Sequence, residues 1–295
     1  MGEKHLIVSG LQLWQWRNAA LEAAIATDVP TMEVDWLLLE VAGLDRLALR
    51  LESFKNWPQI QLQLPLEKLD QLWQRRLNDR LPVQYIVGVT PWRNFQIAVS
   101  SAVLIPRPET ESLIDLALAA SGVSGHWADL GTGSGAIAIG LADVLPTATI
   151  HAVDYSLEAL AIARTNAANL GFADRIKFYQ GSWWEPLAFL KGQFSGMVSN
   201  PPYIPTSTLP TLQPEVVNHE PHLALNGGGD GLDCIRHLIE ISPSYLQSGG
   251  VWLIEMMAGQ ADAVRELLQS QGSYCKIQIH ADLAGIERFA LAYKS

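Results

Sequence analysis

Between residues 127 and 199, short apolar runs alternate with segments of helical periodicity, and this alternation constrains the fold more than any other feature of the chain. The predicted elements are, in chain order, strand Trp127–Leu130, helix Ala136–Ala142, strand Thr149–Val153, helix Leu157–Asn169, strand Ile176–Gln180 and strand Gly196–Ser199. Strands separated by helices are typical of a domain in which helices cover a largely parallel sheet. The sequence therefore predicts an α/β fold with a mostly parallel sheet.

The first 82 residues have helical periodicity instead. Apolar patterns over residues 11–26, 34–44 and 66–77 predict three helices, and Pro82 ends the last of them. The tryptophans of this segment are interpreted as core residues of a small N-terminal helical bundle, because aromatic side chains bury a large area on packing. The alternative is that they form a docking surface for a protein partner. Six of the ten tryptophans precede residue 93: Trp14, Trp16, Trp36, Trp57, Trp73 and Trp92.

Two β-like runs, Tyr85–Val89 and Phe95–Val99, follow the helical segment. They are joined by the sequence TPWRN, and short runs of this kind on either side of a turn predict a β-hairpin. We therefore assign residues 1–82 to a helical N-terminal domain, residues 83–104 to a β-hairpin connection and residues 105–295 to the α/β domain.

Charge and hydropathy exclude several classes of protein. Residues 91–295 carry 11 Lys and Arg against 19 Asp and Glu, and the whole chain has a formal net charge of −10. Nucleic-acid binders usually carry a basic surface, so a polyanionic substrate is disfavoured, although a local basic patch is compatible with an acidic total. No run reaches the roughly 18 apolar residues of a membrane-spanning helix, and the N-terminus lacks the apolar core of a secretory signal.

The cysteine content also limits the possibilities. Cys234 and Cys275 are too few for a disulfide framework and too far apart for a metal-binding motif. No cluster of His, Cys and Asp in the sequence predicts a metal site either. These features indicate a cytoplasmic protein with no metal ion and no membrane partner.

A glycine-rich loop, DLGTGSG at residues 129–135, separates a predicted strand from a predicted helix. Glycines in such a turn let the backbone approach a ligand closely. Asp154 ends the next strand, where a carboxylate can accept hydrogen bonds from both hydroxyls of a ribose. An ordinary tight turn is the alternative. The candidate nucleoside-binding residues are Gly131, Thr132, Gly133, Ser134, Gly135 and Asp154.

The spacing of these glycines limits which class of ligand the loop can bind. The spacing is G-x-G-x-G, whereas a dinucleotide site has G-x-G-x-x-G, and the Gly-Lys-Ser/Thr of a P-loop is absent from the sequence. The sequence therefore shows no phosphate-binding motif at this loop. The pattern resembles the class I S-adenosylmethionine-dependent methyltransferases, which are Rossmann-like. Their cofactor has a ribose but no phosphate. The resemblance implies S-adenosylmethionine as the cofactor and S-adenosylhomocysteine as the product.

The second motif is Asn200-Pro201-Pro202-Tyr203, directly after a predicted strand. It resembles the motif by which methyltransferases modify planar, conjugated nitrogens, whose delocalised lone pair makes them poor nucleophiles. The Asn200 side-chain oxygen and the Pro201 carbonyl could each accept one N–H and so orient the nitrogen. Pro202 stiffens the loop and has no competing N–H, and Tyr203 offers a flat face for stacking. An ordinary turn is again the alternative, because Asn and Pro both favour turns.

Two substrate classes share this motif: amino groups of adenine or cytosine in nucleic acid, and glutamine side-chain amides in protein. Three stretches, IPRPETE at residues 105–111, the glycine loop and VSNPPYI at residues 198–204, together resemble the bacterial release factor glutamine methyltransferases. IPRPETE separates this family from a related one that acts on a glutamine of a ribosomal protein. The resemblance implies methylation of N5 of the glutamine in the Gly-Gly-Gln motif of class I peptide chain release factors.

The resemblance also implies roles for particular residues. Asn200, Pro201, Pro202 and Tyr203 would form the catalytic site for the substrate glutamine, with Asn200 also near the cofactor. Trp183 would lie beside the adenine of the cofactor. The helical residues 1–82 would dock the release factor, and no direct contact with nucleic acid is expected.

The chain departs from the family pattern at two places. Ser182 stands where relatives often carry an acidic residue, and Met257 belongs to a Glu-Met-Met sequence at residues 255–257 where Glu-Ile-Gly is more usual. Both departures lie outside the catalytic motif. Arg107 and Glu109 are expected to order the entrance of the site.

Overall fold

The computed structural model describes residues 6–120 and 124–295, which group into two compact units. The first unit extends to Gly88 and includes Pro214–His219, and the second contains Val89–Gln213 and Glu220–Ser295. The α-helices are α1 Gly10–Ala26, α2 Met32–Ala42, α3 Arg46–Leu51, α4 Leu66–Asn78, α5 Val83–Val87, α6 Ser112–Ala120, α7 Ala136–Val144, α8 Leu157–Asn169, α9 Pro214–His219, α10 Asp233–Ile241 and α11 Ala261–Gln271. The strands are β1 Ile7–Val8, β2 Ile60–Gln61, β3 Val89–Trp92, β4 Phe95–Ala98, β5 Ser124–Leu130, β6 Thr147–Asp154, β7 Ile176–Gln180, β8 Phe194–Ser199, β9 Leu246–Glu255, β10 Tyr274–Ala281 and β11 Glu287–Lys294.

The first unit is the predicted helical bundle. Its longest helix, α1, is capped at its N-terminus by Ser9, which forms a capping box with Gln12, and α2 is capped at its C-terminus by Gly43 in the left-handed conformation. Two apolar clusters form the core of this unit. Four tryptophans of this unit pack in these clusters, as predicted: Trp14, Trp16, Trp36 and Trp73. The fifth, Trp57, is 40% exposed.

The short helix α9 belongs to this unit although it lies far along the chain. The Arg76 guanidinium donates to Glu33 at 2.6 Å and to Glu215 of α9 at 2.7 Å. The His219 ring nitrogen Nε2 lies 2.6 Å from the carbonyl oxygen of Asp79. Burial of the Arg76 side chain makes its two carboxylate partners necessary, because an unpaired buried charge is costly. No sequence pattern indicated this packing of residues 214–219.

The second unit is built on a seven-stranded sheet in the order β10-β11-β9-β8-β5-β6-β7. Strands β5 to β9 are mutually parallel, and β11 and β10 add an antiparallel edge. The predicted α/β fold with a mostly parallel sheet is confirmed. Within the described ranges, no helix is long and apolar enough to cross a bilayer.

The predicted hairpin exists, but its first strand is displaced. Strand β3 pairs antiparallel with β4, from Val89 opposite Ala98 to Trp92 opposite Phe95. The prediction of a strand over residues 85–89 was wrong, because residues 83–87 form helix α5. Pro82 precedes this helix and Gly88 follows it, with Gly88 at φ +82°. Proline before a helix and glycine after it is a common sequence pattern, and here it indicates the helix that the β-branched residues concealed.

Candidate active site

The sheet topology brings the two motifs together. The chain continues from β5 to its neighbours β6 and β7 on one side and returns to β8 on the other, so the strand order reverses beside β5. Ligands of open α/β sheets bind at such a reversal, outside the carboxyl ends of the strands. The glycine loop follows β5, Asp154 ends β6, and Asn200 follows β8. The Ser199 hydroxyl donates to the Leu130 carbonyl at 2.6 Å and joins the ends of β5 and β8.

The glycine loop adopts backbone conformations that other residues avoid. Gly131, Gly133 and Gly135 have φ values of +79°, +54° and +84°. A Cβ on Gly135 would also lie 3.0 Å from the Cβ of Ala163 on α8. The loop therefore requires glycine both for its turn into α7 and for its close packing.

Asp154 holds this loop. Its Oδ2 accepts from the Gly133 N–H at 2.8 Å, and its Oδ1 accepts from the Ser156 N–H at 2.9 Å. Burial raises the pKa of Asp154, while these backbone donors act in the opposite direction. Each carboxylate oxygen has a further lone pair, so hydrogen bonds from two ribose hydroxyls remain available.

Asp129, the first residue of the loop motif, is fully buried. Its Oδ2 accepts from the Thr132 hydroxyl and from the Ala138 N–H, which ties the loop to the first turn of α7. Its Oδ1 is buried without a hydrogen-bond partner among the described residues. Burial raises the pKa of Asp129 to about 7.

Trp183 lies against the glycine loop. Its ring is 3.5 Å from the position that a Cβ on Gly131 would occupy. Its φ of +50° is a strained conformation for a bulky residue, and such strain is concentrated at functional sites. A cavity of about 500 Å³ opens here, and its lining includes Gly131, Asp154, Ser182, Trp183 and Asn200.

A second, smaller cavity of about 80 Å³ adjoins the Asn-Pro-Pro-Tyr segment. Its lining includes Asn200, Pro201 and Tyr203. Asn200 lines both cavities, and Pro202 lines the larger one. The structure thus brings the two predicted motifs to one place, with Asn200 at the junction of the two cavities.

A carboxylate that the sequence pattern placed outside the catalytic motif also belongs to the site. Glu255, at the end of β9, is 2% exposed and accepts from the Tyr203 hydroxyl at 2.9 Å and from the Thr110 hydroxyl at 2.7 Å. Burial raises the pKa of Glu255, and these two hydrogen bonds and the charge of Arg288 oppose the increase. Thr110 and Glu255 are 145 residues apart, so no local motif could have joined them.

Asn166 was also missed by the sequence prediction. It lies on the buried face of α8, and its Nδ2 donates to the Ser134 carbonyl at 2.8 Å and to the Ala98 carbonyl at 3.0 Å. Its Oδ1 accepts from the Ala98 N–H at 2.8 Å. Asn166 therefore links the glycine loop to the β3–β4 hairpin. A polar residue on an otherwise apolar helix face was the available signal.

Arg107, which is expected to order the entrance of the site, forms a salt bridge with Glu220. One nitrogen of its guanidinium donates to both carboxylate oxygens of Glu220, each at 2.8 Å. The Arg107 carbonyl accepts from the indole N–H of Trp92 at 3.0 Å. Arg107 lines both cavities, whereas Glu109 is exposed.

Met257, at the second departure from the family pattern, is linked to the Asn-Pro-Pro-Tyr segment through Gln260. The Met257 N–H donates to Gln260 Oε1 at 2.9 Å, and Gln260 Nε2 donates to the Tyr203 carbonyl at 3.1 Å. Gln260 thus braces the Asn-Pro-Pro-Tyr segment. Among the described residues, no group of His, Cys, Asp and Glu has the arrangement of a metal site.

Comparisons with known families agree with this geometry. Residues 110–230 match the family described as "Methyltransferase small domain". The fold is shared with the catalytic domain of hMettl16, at TM-score 0.55 and 17% identity, covering 80% of this chain and 84% of that one. A methyltransferase from Pyrococcus furiosus shares the fold at TM-score 0.51 and 15% identity, covering 78% of this chain and 98% of that one. Fold and site therefore define a class I methyltransferase domain.

The family is identified by the N-terminal match together with relatives that align over nearly the whole chain. Residues 12–88 match the "PrmC N-terminal domain". A release factor glutamine methyltransferase from Synechocystis is 55% identical over 97% of both chains, and one from Thermosynechococcus vestitus is 48% identical over 95% of this chain and 96% of the relative. The chain belongs to the release factor glutamine methyltransferase family.

Proposed function

We propose that this protein transfers a methyl group from S-adenosylmethionine to the side-chain amide N5 of the glutamine in the Gly-Gly-Gln motif of class I peptide chain release factors. The observation that carries the proposal is the position of Asn200, which lines both the larger cavity and the smaller one. An amide held by Asn200 in the smaller cavity therefore lies next to a group bound in the larger one. The names of the relatives support release factors as the substrate.

The residues of the larger cavity fit S-adenosylmethionine. The backbone at Gly131 and Gly133 leaves room for close approach, the Asp154 carboxylate can accept from the ribose, and the Trp183 ring provides an apolar face for adenine. The cavity volume of about 500 Å³ suits a ligand of this size. When bound, the cofactor supplies a methyl group that is already activated on a sulfonium.

The smaller cavity suits a planar amide. Its volume of about 80 Å³ is that of a few water molecules and hence of a small planar group. The Asn200 oxygen and the Pro201 carbonyl each accept one N–H of the substrate amide, so its lone pair is aimed at the methyl carbon. Pro202 adds no competing donor. Tyr203 lines the same cavity and packs its ring against the amide.

Positioning accounts for most of the catalysis. The amide nitrogen forms a bond to the methyl carbon as the bond from that carbon to sulfur breaks, and S-adenosylhomocysteine leaves. Holding the two reactants in line can lower the barrier by about 7–11 kcal/mol in favourable cases. The methylated nitrogen becomes strongly acidic and releases its proton to water or a carbonyl, so a dedicated general base is unnecessary.

Two further features bear on the substrate. The acidic balance of residues 91–295 disfavours nucleic acid, which shares the Asn-Pro-Pro-Tyr type of site. We infer that the N-terminal unit docks the release factor and that the enzyme acts in the cytoplasm, where translation factors are made and used.

A labelling experiment tests the proposed function. The protein is incubated with methyl-labelled S-adenosylmethionine and either a class I release factor, the same factor with its Gly-Gly-Gln glutamine changed to alanine, or duplex DNA. The expected result is label in the unmodified release factor alone. Label in DNA, or equal label in the alanine-substituted factor, would refute the proposal.

A further inference from the structure

Glu255 accepts hydrogen bonds from two parts of the site. Thr110, in the IPRPETE stretch, donates from its hydroxyl to Oε2 at 2.7 Å, and Tyr203 donates to Oε1 at 2.9 Å. Glu255 is 2% exposed, and burial raises the pKa of its carboxyl, while the two hydroxyl donors and the charge of Arg288 act against that increase. Both carboxyl oxygens act as acceptors in the structure, Oε2 for Thr110 and Oε1 for Tyr203. Each hydroxyl therefore gives its single proton to Glu255.

The direction of the Thr110 hydrogen bond determines how Asn200 is oriented. A hydroxyl has one proton, and that of Thr110 is directed at Glu255, so the Thr110 oxygen can only accept from other neighbours. Asn200 Nδ2 lies 3.3 Å from that oxygen and donates to it. The opposite orientation would bring the Asn200 carbonyl oxygen against an oxygen with no proton to offer. The Asn200 NH₂ group is therefore held toward Thr110, and its Oδ1 is held on the other side of the amide.

The orientation matters because the two ends of a carboxamide differ in chemistry and hardly in shape. The proposed substrate amide presents two N–H donors, which require acceptors. If Asn200 turned over, it would present its own N–H groups to those donors and would repel the substrate nitrogen. Small errors in the placement of reacting groups have large effects on rate.

We propose that Glu255 and Thr110 are positioning residues that act in series to hold the Asn200 carboxamide with its oxygen toward the substrate amide. This inference rests on the proposed function and assigns a task to the threonine of the IPRPETE stretch. We call Glu255, Thr110 and Asn200 the positioning chain. Asn200 touches the substrate, whereas the other two act through it.

The variant Thr110→Val tests the positioning chain, because valine keeps the branched shape and removes the hydroxyl. We expect kcat for release factor methylation to fall about 10- to 100-fold, the scale of losing one preorganised hydrogen-bonding group. We expect Thr110→Ser, which retains the hydroxyl, to stay within about 3-fold of the original kcat. The matched control is Thr165→Val, since Thr165 is exposed on α8 and its hydroxyl bonds only the Ala161 carbonyl among the contacts described. It should leave kcat unchanged.

Two further measurements separate positioning from general structural damage. In the Asn200→Ala background, adding Thr110→Val should cost less than about 2-fold, because the group that Thr110 orients is already gone. Glu255→Leu removes both acceptor oxygens, and should also lower kcat while the calorimetric Kd for S-adenosylmethionine stays within about 3-fold. It serves as the test if Thr110→Val does not fold.

The outcomes distinguish this inference from the proposed function. An active wild-type protein with Thr110→Val and Glu255→Leu equally active would overturn the positioning chain alone. The same conclusion follows if Thr110→Val costs as much in the Asn200→Ala background as in the wild type. A wild-type protein that methylates no release factor would overturn the proposed function and the inference with it.

Discussion

Replacing Asp129 with asparagine is expected to change how the stability of the protein depends on pH. The carboxyl is fully buried, one of its oxygens accepts two hydrogen bonds, and the other accepts none from the described residues. Burial is the main cause that raises the pKa of Asp129 to about 7, and the charge of Asp154 adds to it. In the unfolded chain the same carboxyl has its ordinary pKa of 3.8.

The magnitude follows from this difference in pKa. Between pH 3.8 and about 7 the folded state binds a proton that the unfolded state has lost, so the free energy of unfolding falls as the pH rises. Integrated from pH 5.5 to pH 8, the loss is about 2 kcal/mol. His151 acts in the opposite direction, because burial lowers its pKa to about 4 and folding below pH 6.5 therefore releases a proton. A comparison with Asp129→Asn cancels the contribution of His151.

The assay is urea denaturation of the wild type and Asp129→Asn at pH 5.5 and pH 8. The asparagine oxygen can accept both hydrogen bonds that Asp129 Oδ2 accepts, while its buried NH₂ group costs about 1–3 kcal/mol at either pH. The stability of the wild type relative to the variant should fall by about 2 kcal/mol from pH 5.5 to pH 8. A difference that stays constant within about 0.5 kcal/mol would refute the assignment of a protonated, buried Asp129.

Three other substitutions have definite expected outcomes. Asn200→Ala should lower methyl transfer about 10²-fold or more and leave the calorimetric Kd for the cofactor nearly unchanged, and near-normal turnover would contradict its catalytic role. Asp154→Ala should weaken S-adenosylmethionine binding, since it removes the carboxylate that holds Gly133; an unchanged Kd by calorimetry would rule out the ribose assignment. Gly196→Ala should lower the free energy of unfolding by about 1–3 kcal/mol, because the added Cβ would lie 2.5 Å from the Trp127 ring. If the variant unfolded at the same urea concentration as the wild type, this packing of Gly196 against Trp127 would be wrong.

The parts of the fold with regular periodicity could be predicted from the sequence. Helix α8 and strand β7 begin and end at the predicted residues, because alternating apolar runs and helices leave few other arrangements. The junction of the two motifs could also be predicted, since parallel strands bring their carboxyl ends to one edge of the sheet. The short helix α5 could not be predicted from β-branched residues alone, since its flanking Pro82 and Gly88 determine it.

The contacts between segments far apart in the chain could not be predicted from the sequence patterns. Glu255 and Tyr203 meet because β9 lies beside β8 in the sheet, and Thr110 reaches Glu255 because α6, which follows Thr110, packs on β9. Neither arrangement is encoded in the sequence next to these residues. Helix α9 likewise packs in the N-terminal unit through Arg76 and Glu215, which are 139 residues apart. A buried polar residue in an apolar segment, such as Asn166, is the one local sign of such contacts.

The most direct test of the account is tandem mass spectrometry of the Gly-Gly-Gln peptide from a class I release factor, after incubation with this protein and S-adenosylmethionine. The account predicts one added methyl group located on the side-chain amide nitrogen of that glutamine, formed about 10²-fold or more slowly when Asn200→Ala replaces the wild type. An unmodified glutamine, or a methyl group on another residue of the factor, would contradict it.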